Sequence, residues 1–269
     1  MRLIASDIDG TILHPDGSIS PRTVAAFRGA REAGIHVVFV TGRPFRWLGP
    51  VQRAFGHLGT VICSNGALVY DLEEERILEA SPLPTAAVEE VRERILGLEP
   101  GARFAAETTL GLYVEPGFVE PAELRRLDGV QPDWFPLERL EAEGVVKLLA
   151  KSSAPTADVF FEAVHPAVAD LVALTHSAPG VALLEMARPD VNKAVALERF
   201  AAGHGFGAGD VVAFGDMPND VEMLAWAGRG YAMDSGHPLA KAAAAGLARS
   251  LEDDGVARVI EDLLAETPR

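Results

Sequence analysis

Short apolar runs recur along the first eighty residues, and segments with helical spacing separate them. The runs are Leu3–Ser6, His36–Val40 and Val61–Cys63. Nearly continuous runs of this length are typical of strands that are covered on both faces of a sheet. A Ser-Pro pair at positions 20 and 21 marks the start of the first intervening helix. The pattern therefore predicts a βαβαβ beginning and a doubly wound parallel sheet.

The alternation becomes irregular between about residues 82 and 181. Two prolines, Pro82 and Pro84, precede a predicted helix over 86–96. Beyond it the pattern predicts strands at 102–106, 111–115 and 145–150, and helices at 157–164 and 167–175. We therefore expect an inserted α+β domain over 82–181.

The doubly wound pattern resumes after the insertion. It predicts strands at 181–186, 211–214 and 231–233, with helices that start near residues 193, 219, 238 and 256. The core is then discontinuous and comprises residues 1–81 and 182–269. The expected fold class is α/β, a doubly wound Rossmann-like parallel sheet with an inserted α+β cap domain.

Polar residues close four of the predicted core strands. They are Asp7 with Asp9, Thr41, Ser64-Asn65 and Gly215-Asp216. In doubly wound sheets, ligands bind beyond the carboxyl ends of the strands. Two carboxylates in one pocket repel each other unless a cation or a shared proton compensates. Each feature alone is also typical of an ordinary solvated strand end, but the ordered combination indicates Mg²⁺ and phosphate chemistry.

Charge and cysteine content narrow the possible partners and compartment. The net charge of -15 disfavours nucleic-acid and anionic-membrane partners, because both would be repelled. Cys63 is the single cysteine, so an internal disulfide is impossible and a reducing compartment is expected. Asp7 and Asp9 interrupt the first apolar stretch, and no run approaches the ~20 apolar residues of a membrane span. We expect an unprocessed cytoplasmic protein that is a monomer or a homodimer.

Four segments in this order resemble the four motifs of the haloacid dehalogenase superfamily. They are Asp7-Ile8-Asp9-Gly10-Thr11, Thr41-Gly42-Arg43, Lys193 and Gly215-Asp216-Met217-Pro218-Asn219-Asp220. The place of the insertion, Ser64-Asn65-Gly66-Ala67 and Asp254-Gly255-Val256-Ala257 are similar to the Cof-type branch of sugar-phosphate phosphatases. One departure is Arg188-Pro189-Asp190-Val191-Asn192, which stands where that branch usually has a Gly and often a Ser before the lysine.

The resemblance implies a Mg²⁺-dependent phosphatase that acts through an aspartyl-phosphate. Asp7 would be the nucleophile, Asp9 the general acid and base, and Lys193 the cation that offsets negative charge. The Asp7 carboxylate, the Asp9 backbone carbonyl and Asp216 would hold Mg²⁺. The remaining expected site residues are Thr41, Gly42, Arg43, Asn65 and Asn219 at the substrate, with Asp220 orienting Lys193. Arg43 could instead cap the next helix, and Asn219 could instead orient Lys193 and metal-bound water or bind the metal directly.

The resemblance leaves the substrate open. Sugar phosphates are favoured by the branch alone, and pyridoxal phosphate, flavin-pathway phosphates and glycosyl-phosphoglycerates are alternatives. A phosphomutase and a non-catalytic phosphate sensor are the competing functions. The cap is expected to select the substrate, and its candidate contacts are Arg103, Glu107, Tyr113, Trp134 and Lys147.

Overall fold

The chain forms two compact units. The computed structural model describes residues 1–56, 59–119, 130–131, 137–177 and 180–266. One unit comprises Met1–Leu78 with Lys193–Arg269, and the other comprises Glu79–Asn192; we call them the core unit and the inserted unit. The sequence predicts divisions after residues 81 and 181, and the contacts divide the chain after residues 78 and 192.

The core sheet has eight strands and is mostly parallel. Its strands are β1 (Leu3–Ser6), β2 (His36–Val40), β3 (Thr60–Cys63), β4 (Leu68–Asp71), β5 (Arg76–Ala80), β12 (Val211–Gly215), β13 (Arg229–Met233) and β14 (Gly246–Ala248). Their order is β14-β13-β12-β1-β2-β3-β4-β5. β4, which lies between β3 and β5, is antiparallel to β3. The predicted α/β fold class is confirmed.

Helices cover both faces of the core sheet. They are Pro21–Glu32, Gly49–Phe55, Lys193–Gly203, Val221–Trp226, Pro238–Ala243 and Gly255–Glu266. Ile4 packs with Phe27 and Ile260 on one face, whereas its neighbours Leu3 and Ala5 pack with Leu197 on the other. Burial on both faces explains why the core strands are apolar at nearly every position. Among the described residues, no helix combines the length and apolarity that crossing a bilayer requires.

The inserted unit has its own six-stranded sheet, which is mainly antiparallel. Its strands are β6 (Arg103–Thr108), β7 (Leu112–Val114), β8 (Val130–Gln131), β9 (Val145–Lys151), β10 (Ala173–Thr175) and β11 (Leu183–Ala187), in the order β10-β11-β9-β6-β7-β8. The helices among the described residues of this unit are Thr85–Leu98, Leu137–Glu143 and Ala157–Val168. Phe104, Leu148 and Leu184 pack with Val91 and Phe160 from two of these helices. One face of the sheet therefore packs on helices.

Three predicted elements differ in the structure. The strand predicted at 181–186 lies at Leu183–Ala187 and pairs with β9 and β10, so it belongs to the inserted sheet and not to the core. The two helices predicted at 157–164 and 167–175 are one helix, Ala157–Val168, followed by a strand. Pro166 lies inside this helix, close to its C-terminal end, and does not divide it into two helices. An apolar run shows that a strand is buried but does not show which sheet it joins.

Candidate active site

Asp7 and Asp216 directly follow the ends of two neighbouring parallel strands. β1 pairs with β12 in the register Ser6 with Phe214, so both chains reach the carboxyl edge of the sheet together. The Asp7 backbone N–H donates to the Phe214 carbonyl at 2.9 Å and continues the ladder past the strand end. The topology therefore brings together two carboxylates that are more than two hundred positions apart in the chain.

Lys193 joins this carboxylate group as the first residue of the helix Lys193–Gly203. Its Nζ donates to Asp7 Oδ1 at 2.5 Å and to Asp220 Oδ1 at 2.7 Å. The side chain is fully buried. Burial alone would lower the pKa of Lys193, but the charges of Asp220 and Asp7 raise it above its ordinary value. Lys193 is thus a fixed cation shared by two carboxylates.

Asp220 is held by three donors and is buried completely. Its Oδ1 accepts from Lys193, and its Oδ2 accepts from the backbone N–H groups of Asp216 and Met217, both at 3.0 Å. Gly215 makes this turn possible, because a Cβ there would lie 2.5 Å from the Asp220 Cβ. Asp220 therefore shapes the loop that presents Asp216 and orients Lys193.

The carboxylates of Asp7, Asp216 and Asp220 form a compact buried group. Oxygens from the three residues lie within 4.8 Å of one another. Burial raises the pKa of Asp7 to about 7, and the neighbouring carboxylates of Asp220 and Asp9 raise it too, against the opposing effect of Lys193. Burial and the charges of Asp7 and Asp220 likewise raise the pKa of Asp216 to about 8. One ammonium does not neutralise three carboxylates, so the group has the charge and oxygen donors to hold a divalent cation.

The turn after Asp9 brings the backbone close to Asp216. Gly10 has φ of +75°, and a Cβ at this position would lie 2.3 Å from Asp216 Oδ2. The Thr11 hydroxyl donates to Asp216 Oδ1 at 3.3 Å. The sequence reasoning did not single out Thr11 as a contact of Asp216, although it lies in the first motif. Only glycine combines this φ with such a close approach.

Thr41 and Arg43 line the end of β2. Thr41 is buried, and its Oγ1 accepts from the Arg43 backbone N–H at 3.0 Å, which leaves the hydroxyl proton for donation elsewhere. The Arg43 guanidinium pairs with both oxygens of Asp9 and also donates to the Trp47 carbonyl at 3.2 Å. The carbonyl of Trp47 ends the short helix Phe45–Trp47. The described side-chain contacts of Arg43 are therefore Asp9 and this helix end. The sequence predicted a contact with the substrate phosphate or a helix cap for Arg43, and it did not predict the pairing with Asp9.

Asn65 and Asn219 meet in a buried pair next to the strand ends. Asn219 Nδ2 donates to Asn65 Oδ1 at 2.9 Å. Ser64 and Asn65, with φ of 52° and 57°, occupy the left-handed region, and Gly66 follows with φ of 101°. Left-handed residues other than glycine are concentrated at functional sites, where the surrounding structure holds them. Asn219 Oδ1 is buried and has no hydrogen-bond donor among the described residues, so the pair keeps one acceptor that the described protein groups do not satisfy.

The candidate substrate contacts in the inserted unit lie in different environments. Tyr113 lies in the hydrophobic cluster under the helices and donates to Glu143 Oε1 at 2.7 Å, and Arg103 is exposed. Lys147 is buried with Glu107 at 3.5 Å and Glu185 at 3.2 Å. Trp134 lies outside the described residues. The sequence reasoning missed Glu185, and the signal for it was a carboxylate within an otherwise apolar strand.

The three charged residues share one face of the inserted sheet. Glu107 is paired directly with Lys147 in the register of β6 and β9, and Glu185 is paired with Leu149, two positions along β9. Residues two apart on a strand point to the same side. The clustered helices pack on the opposite side through Phe104, Leu148 and Leu184. We call Glu107, Lys147 and Glu185 the charged triad.

Known proteins resemble this chain over nearly its whole length. A family model of haloacid dehalogenase-like hydrolases matches residues 4–260. Pyridoxal phosphate phosphatase YbhA of Escherichia coli is 30% identical over 258 residues, which cover 90% of this chain and 91% of that protein. HMP-PP phosphatase of Serratia proteamaculans is 30% identical over 247 residues, which cover 89% and 86%. The solved structure of a haloacid dehalogenase-like hydrolase from B. subtilis has a TM-score of 0.83 at 23% identity, over 98% of this chain and 100% of that one.

The family model covers both segments of the core unit and the whole insertion between them. The described relatives are phosphatases, and their similarity extends through both units. The chain belongs to the haloacid dehalogenase-like hydrolases, in the Cof-type branch with an inserted cap, and it is a phosphatase of small phosphorylated metabolites.

Proposed function

We propose that the protein is a Mg²⁺-dependent phosphomonoester hydrolase in which Asp7 attacks phosphorus. The contact that carries this proposal is the double hydrogen bond of Lys193 to Asp7 and Asp220. A buried ammonium fixed to the Asp7 carboxylate offsets negative charge where an anionic phosphoryl group must approach an anionic nucleophile. Asp7 is therefore prepared for nucleophilic catalysis and not simply buried.

Two steps account for the hydrolysis. An Asp7 oxygen forms a bond to phosphorus while the bond from phosphorus to the leaving oxygen breaks, and Asp9 gives that oxygen its proton. Asp9 then takes a proton from a water molecule, which attacks the aspartyl-phosphate and releases inorganic phosphate. Asp9 regains its proton in the second step, so the enzyme returns to its starting state.

The family implies a divalent cation, and the residues of the core unit fit one. The Asp7 and Asp216 carboxylates, with the Asp9 backbone carbonyl, supply oxygen donors of the kind Mg²⁺ prefers. The acceptor-only Asn219 Oδ1 and the close approach of Gly10 to Asp216 fit a ligand-filled site better than an empty one. When bound, the cation screens the repulsion between the phosphate and the carboxylates. We assign Mg²⁺ because the donors described here are hard oxygens.

Hydrogen-bond donors for the phosphoryl oxygens lie at the ends of β2 and β3. We assign this role to the Thr41 hydroxyl and the Gly42 backbone, and we place Asn65 and Asn219 at the substrate. The buried position of Thr41 and the acceptance from Arg43 at its Oγ1 leave one proton to donate. Such fixed donors stabilise charge on the transferring group without reorganisation during the reaction.

We propose that the inserted unit selects among substrates. The charged triad concentrates two carboxylates and one ammonium on one sheet face, which suits a leaving group rich in hydroxyl or amino groups. A sugar phosphate has that chemistry. The two relatives at 30% identity are named for pyridoxal phosphate and for HMP-PP, so identity alone does not choose a substrate.

A metabolite screen with the Asp7→Asn variant as control tests the function. With Mg²⁺ present, the wild type should release inorganic phosphate in stoichiometric amounts from its preferred phosphomonoester, and Asp7→Asn should show no detectable turnover. A phosphomutase would instead return an isomeric phosphate ester without net phosphate release. Near-normal turnover by Asp7→Asn would refute the covalent mechanism.

A further inference from the structure

Arg43 holds the Asp9 carboxylate by both of its oxygens. Arg43 Nε donates to Asp9 Oδ2 and Nη2 donates to Asp9 Oδ1, each at 2.6 Å. The Asp9 side chain is 52% exposed, so little packing restrains it. A two-pronged pairing of guanidinium and carboxylate fixes the plane of the carboxylate as well as its distance. Arg43 is thus the described contact that defines where the Asp9 oxygens lie.

Arg43 is itself anchored on several sides. Its Nη1 donates to the Trp47 carbonyl at 3.2 Å, and its backbone N–H donates to Thr41 Oγ1 at 3.0 Å. Its backbone carbonyl accepts from the Ser64 N–H at 3.0 Å. All three guanidinium nitrogens therefore have protein acceptors, and the residue is tied to the loops after β2 and β3.

This set of contacts differs from that of an arginine that waits for phosphate. A phosphate clamp would keep donors directed away from protein acceptors, whereas the described donors of Arg43 point to Asp9 and to a helix end. The pairing also costs Asp9 its side-chain freedom before any substrate binds. The geometry is that of a support for the proton-transferring carboxylate.

We propose that Arg43 is a positioning residue that holds Asp9 in the orientation required for proton transfer to and from the reacting oxygens. When Asp9 acts as the acid, one of its oxygens carries the proton and the other keeps its hydrogen bond from Arg43; both bonds form when Asp9 is ionised. This inference rests on the proposed function, in which Asp9 protonates the leaving group. Arg43 then acts through Asp9 and not on the phosphate. Its loss should matter most for substrates whose leaving oxygen needs a proton.

Two leaving groups separate these roles. p-Nitrophenyl phosphate releases a stable phenolate, which needs little protonation as it leaves. An alkyl ester such as glycerol phosphate releases an alkoxide, which needs a full proton transfer. For Arg43→Ala we expect kcat on glycerol phosphate to fall at least about 10-fold more than kcat on p-nitrophenyl phosphate, within the range for lost acid catalysis. KM should change little for either ester. Added guanidinium ion should restore part of the alkyl activity.

The double variant with Asp9 tests whether Arg43 works through that residue. In the Asp9→Asn background, Arg43→Ala should cost almost nothing further on either ester, because residues that act as a unit are not additive. Arg43→Lys should fall between the wild type and Arg43→Ala, since a lysine makes a single-point contact. Arg53→Ala, at an exposed arginine of the helix Gly49–Phe55, is the matched control and should leave kcat unchanged on both esters.

The outcomes distinguish the inference from the function on which it rests. If Asp9→Asn slows both esters equally, Asp9 is not the acid and the proposed function is wrong in that part. If Asp9→Asn is selective for the alkyl ester but Arg43→Ala raises KM for both esters, also in the Asp9→Asn background, Arg43 binds phosphate and the inference is overturned. Faster alkyl turnover by Arg43→Ala would overturn it too, because Arg43 would then restrain Asp9 away from the reaction.

Discussion

Lys193 and Asp216 contribute opposite charges to the cluster of carboxylates at the site. We therefore expect the two residues to have different roles. Lys193 donates to Asp7 and Asp220, and Asp216 contributes oxygens that accept from Thr11. Both side chains are buried at the ends of core elements and not within the hydrophobic clusters. Each can therefore be changed without opening a cavity among the apolar residues of the core.

Lys193→Met and Asp216→Asn should both lower activity but should respond differently to Mg²⁺. Raising the Mg²⁺ concentration should partly restore Asp216→Asn, because that change weakens a proposed metal ligand. It should not restore Lys193→Met, for which we expect kcat to fall about 10²–10³-fold, as when a charge-stabilising donor is removed. Steady-state kinetics over a Mg²⁺ titration measures both. Lys241→Met, the same change at a partly exposed lysine, is the control.

Rescue of Lys193→Met by Mg²⁺, with no rescue of Asp216→Asn, would exchange the two assignments. If the residual activity of Asp216→Asn does not change with Mg²⁺ concentration over the whole titration, Asp216 is not a metal ligand. Circular dichroism of both variants shows whether any loss comes from unfolding.

At the scale of elements, short turns after the strands of the core unit carry the chemistry. Gly10 and Gly17 both have positive φ, of +75° and +80°, and so share the same backbone requirement. They differ in their surroundings, because a Cβ on Gly10 meets Asp216 Oδ2 at 2.3 Å whereas a Cβ on Gly17 meets nothing within 4 Å. The pair separates backbone strain from crowding of Asp216.

Gly10→Ala should lose Mg²⁺ affinity and activity, whereas Gly17→Ala should lose only stability. Each alanine in the left-handed region costs about 1–2 kcal/mol. The additional clash in Gly10→Ala displaces the Asp216 carboxylate or the turn after Asp9. Chemical unfolding and calorimetric Mg²⁺ titration of both variants measure the two effects. Wild-type Mg²⁺ affinity in Gly10→Ala would contradict the placement of the cation beside this turn.

The charged triad makes a second prediction at this scale. Lys147→Met leaves the buried carboxylates of Glu107 and Glu185 without their shared cation, and breaking such a buried pair costs about 3–5 kcal/mol. Burial alone would lower the pKa of Lys147, but Glu185 and Glu107 raise it, so the lysine is charged at neutral pH. Lys151→Met, on the same strand, removes a bond to the Phe118 carbonyl, which is the described hydrogen bond of its Nζ, and should cost less. Urea unfolding measures the difference.

A triple variant separates stability from substrate selection in the triad. Changing Glu107 and Glu185 to Gln together with Lys147→Met removes all three charges, so much of the lost stability should return. If the triad selects the substrate, this variant should keep activity on p-nitrophenyl phosphate and lose preference among metabolites. Unchanged metabolite preference in the folded triple variant would limit the triad to a structural role.

The elements that could be predicted from sequence are those whose signal is local. The apolar runs at Leu3–Ser6 and His36–Val40 and the Ser20 cap are local patterns, and the structure has all three. Strand Gly246–Ala248 was missed because three residues, with a single large apolar side chain among them, are too few to show the periodicity of a strand. The sheet membership of Leu183–Ala187 and the pairing of Arg43 with Asp9 depend on contacts between distant segments, which no window of sequence contains.

At the scale of the whole molecule, charge in the carboxylate group links metal binding to pH. Burial and neighbouring carboxylates raise the pKa of Asp7 from 3.8 to about 7 and that of Asp216 from 3.8 to about 8. In the absence of a cation, the folded state therefore keeps protons that the unfolded state has released between these values. Stability should fall as pH rises through this range, since the folded state binds more protons.

Mg²⁺ should accordingly raise the melting temperature more at pH 8 than at pH 6. At pH 6 protons still occupy the carboxylates and compete with the cation, and at pH 8 most have left. Thermal melts with Mg²⁺ and with chelator at the two pH values measure the effect. Asp216→Asn should reduce the difference. An equal Mg²⁺ effect at both pH values would mean that these carboxylates do not bind the cation.

The position of the insertion also has a consequence for synthesis on the ribosome. β1 lies between β2 and β12 in the sheet, yet β12 begins at Val211, after the entire inserted unit has been made. Until then the nascent chain carries β1 as an edge strand whose apolar residues and N–H groups have no neighbour on one side. The first segment of the core therefore cannot complete its folding during synthesis before β12 is made. Chaperone binding to a ribosome-bound chain should persist until residues beyond Gly215 emerge.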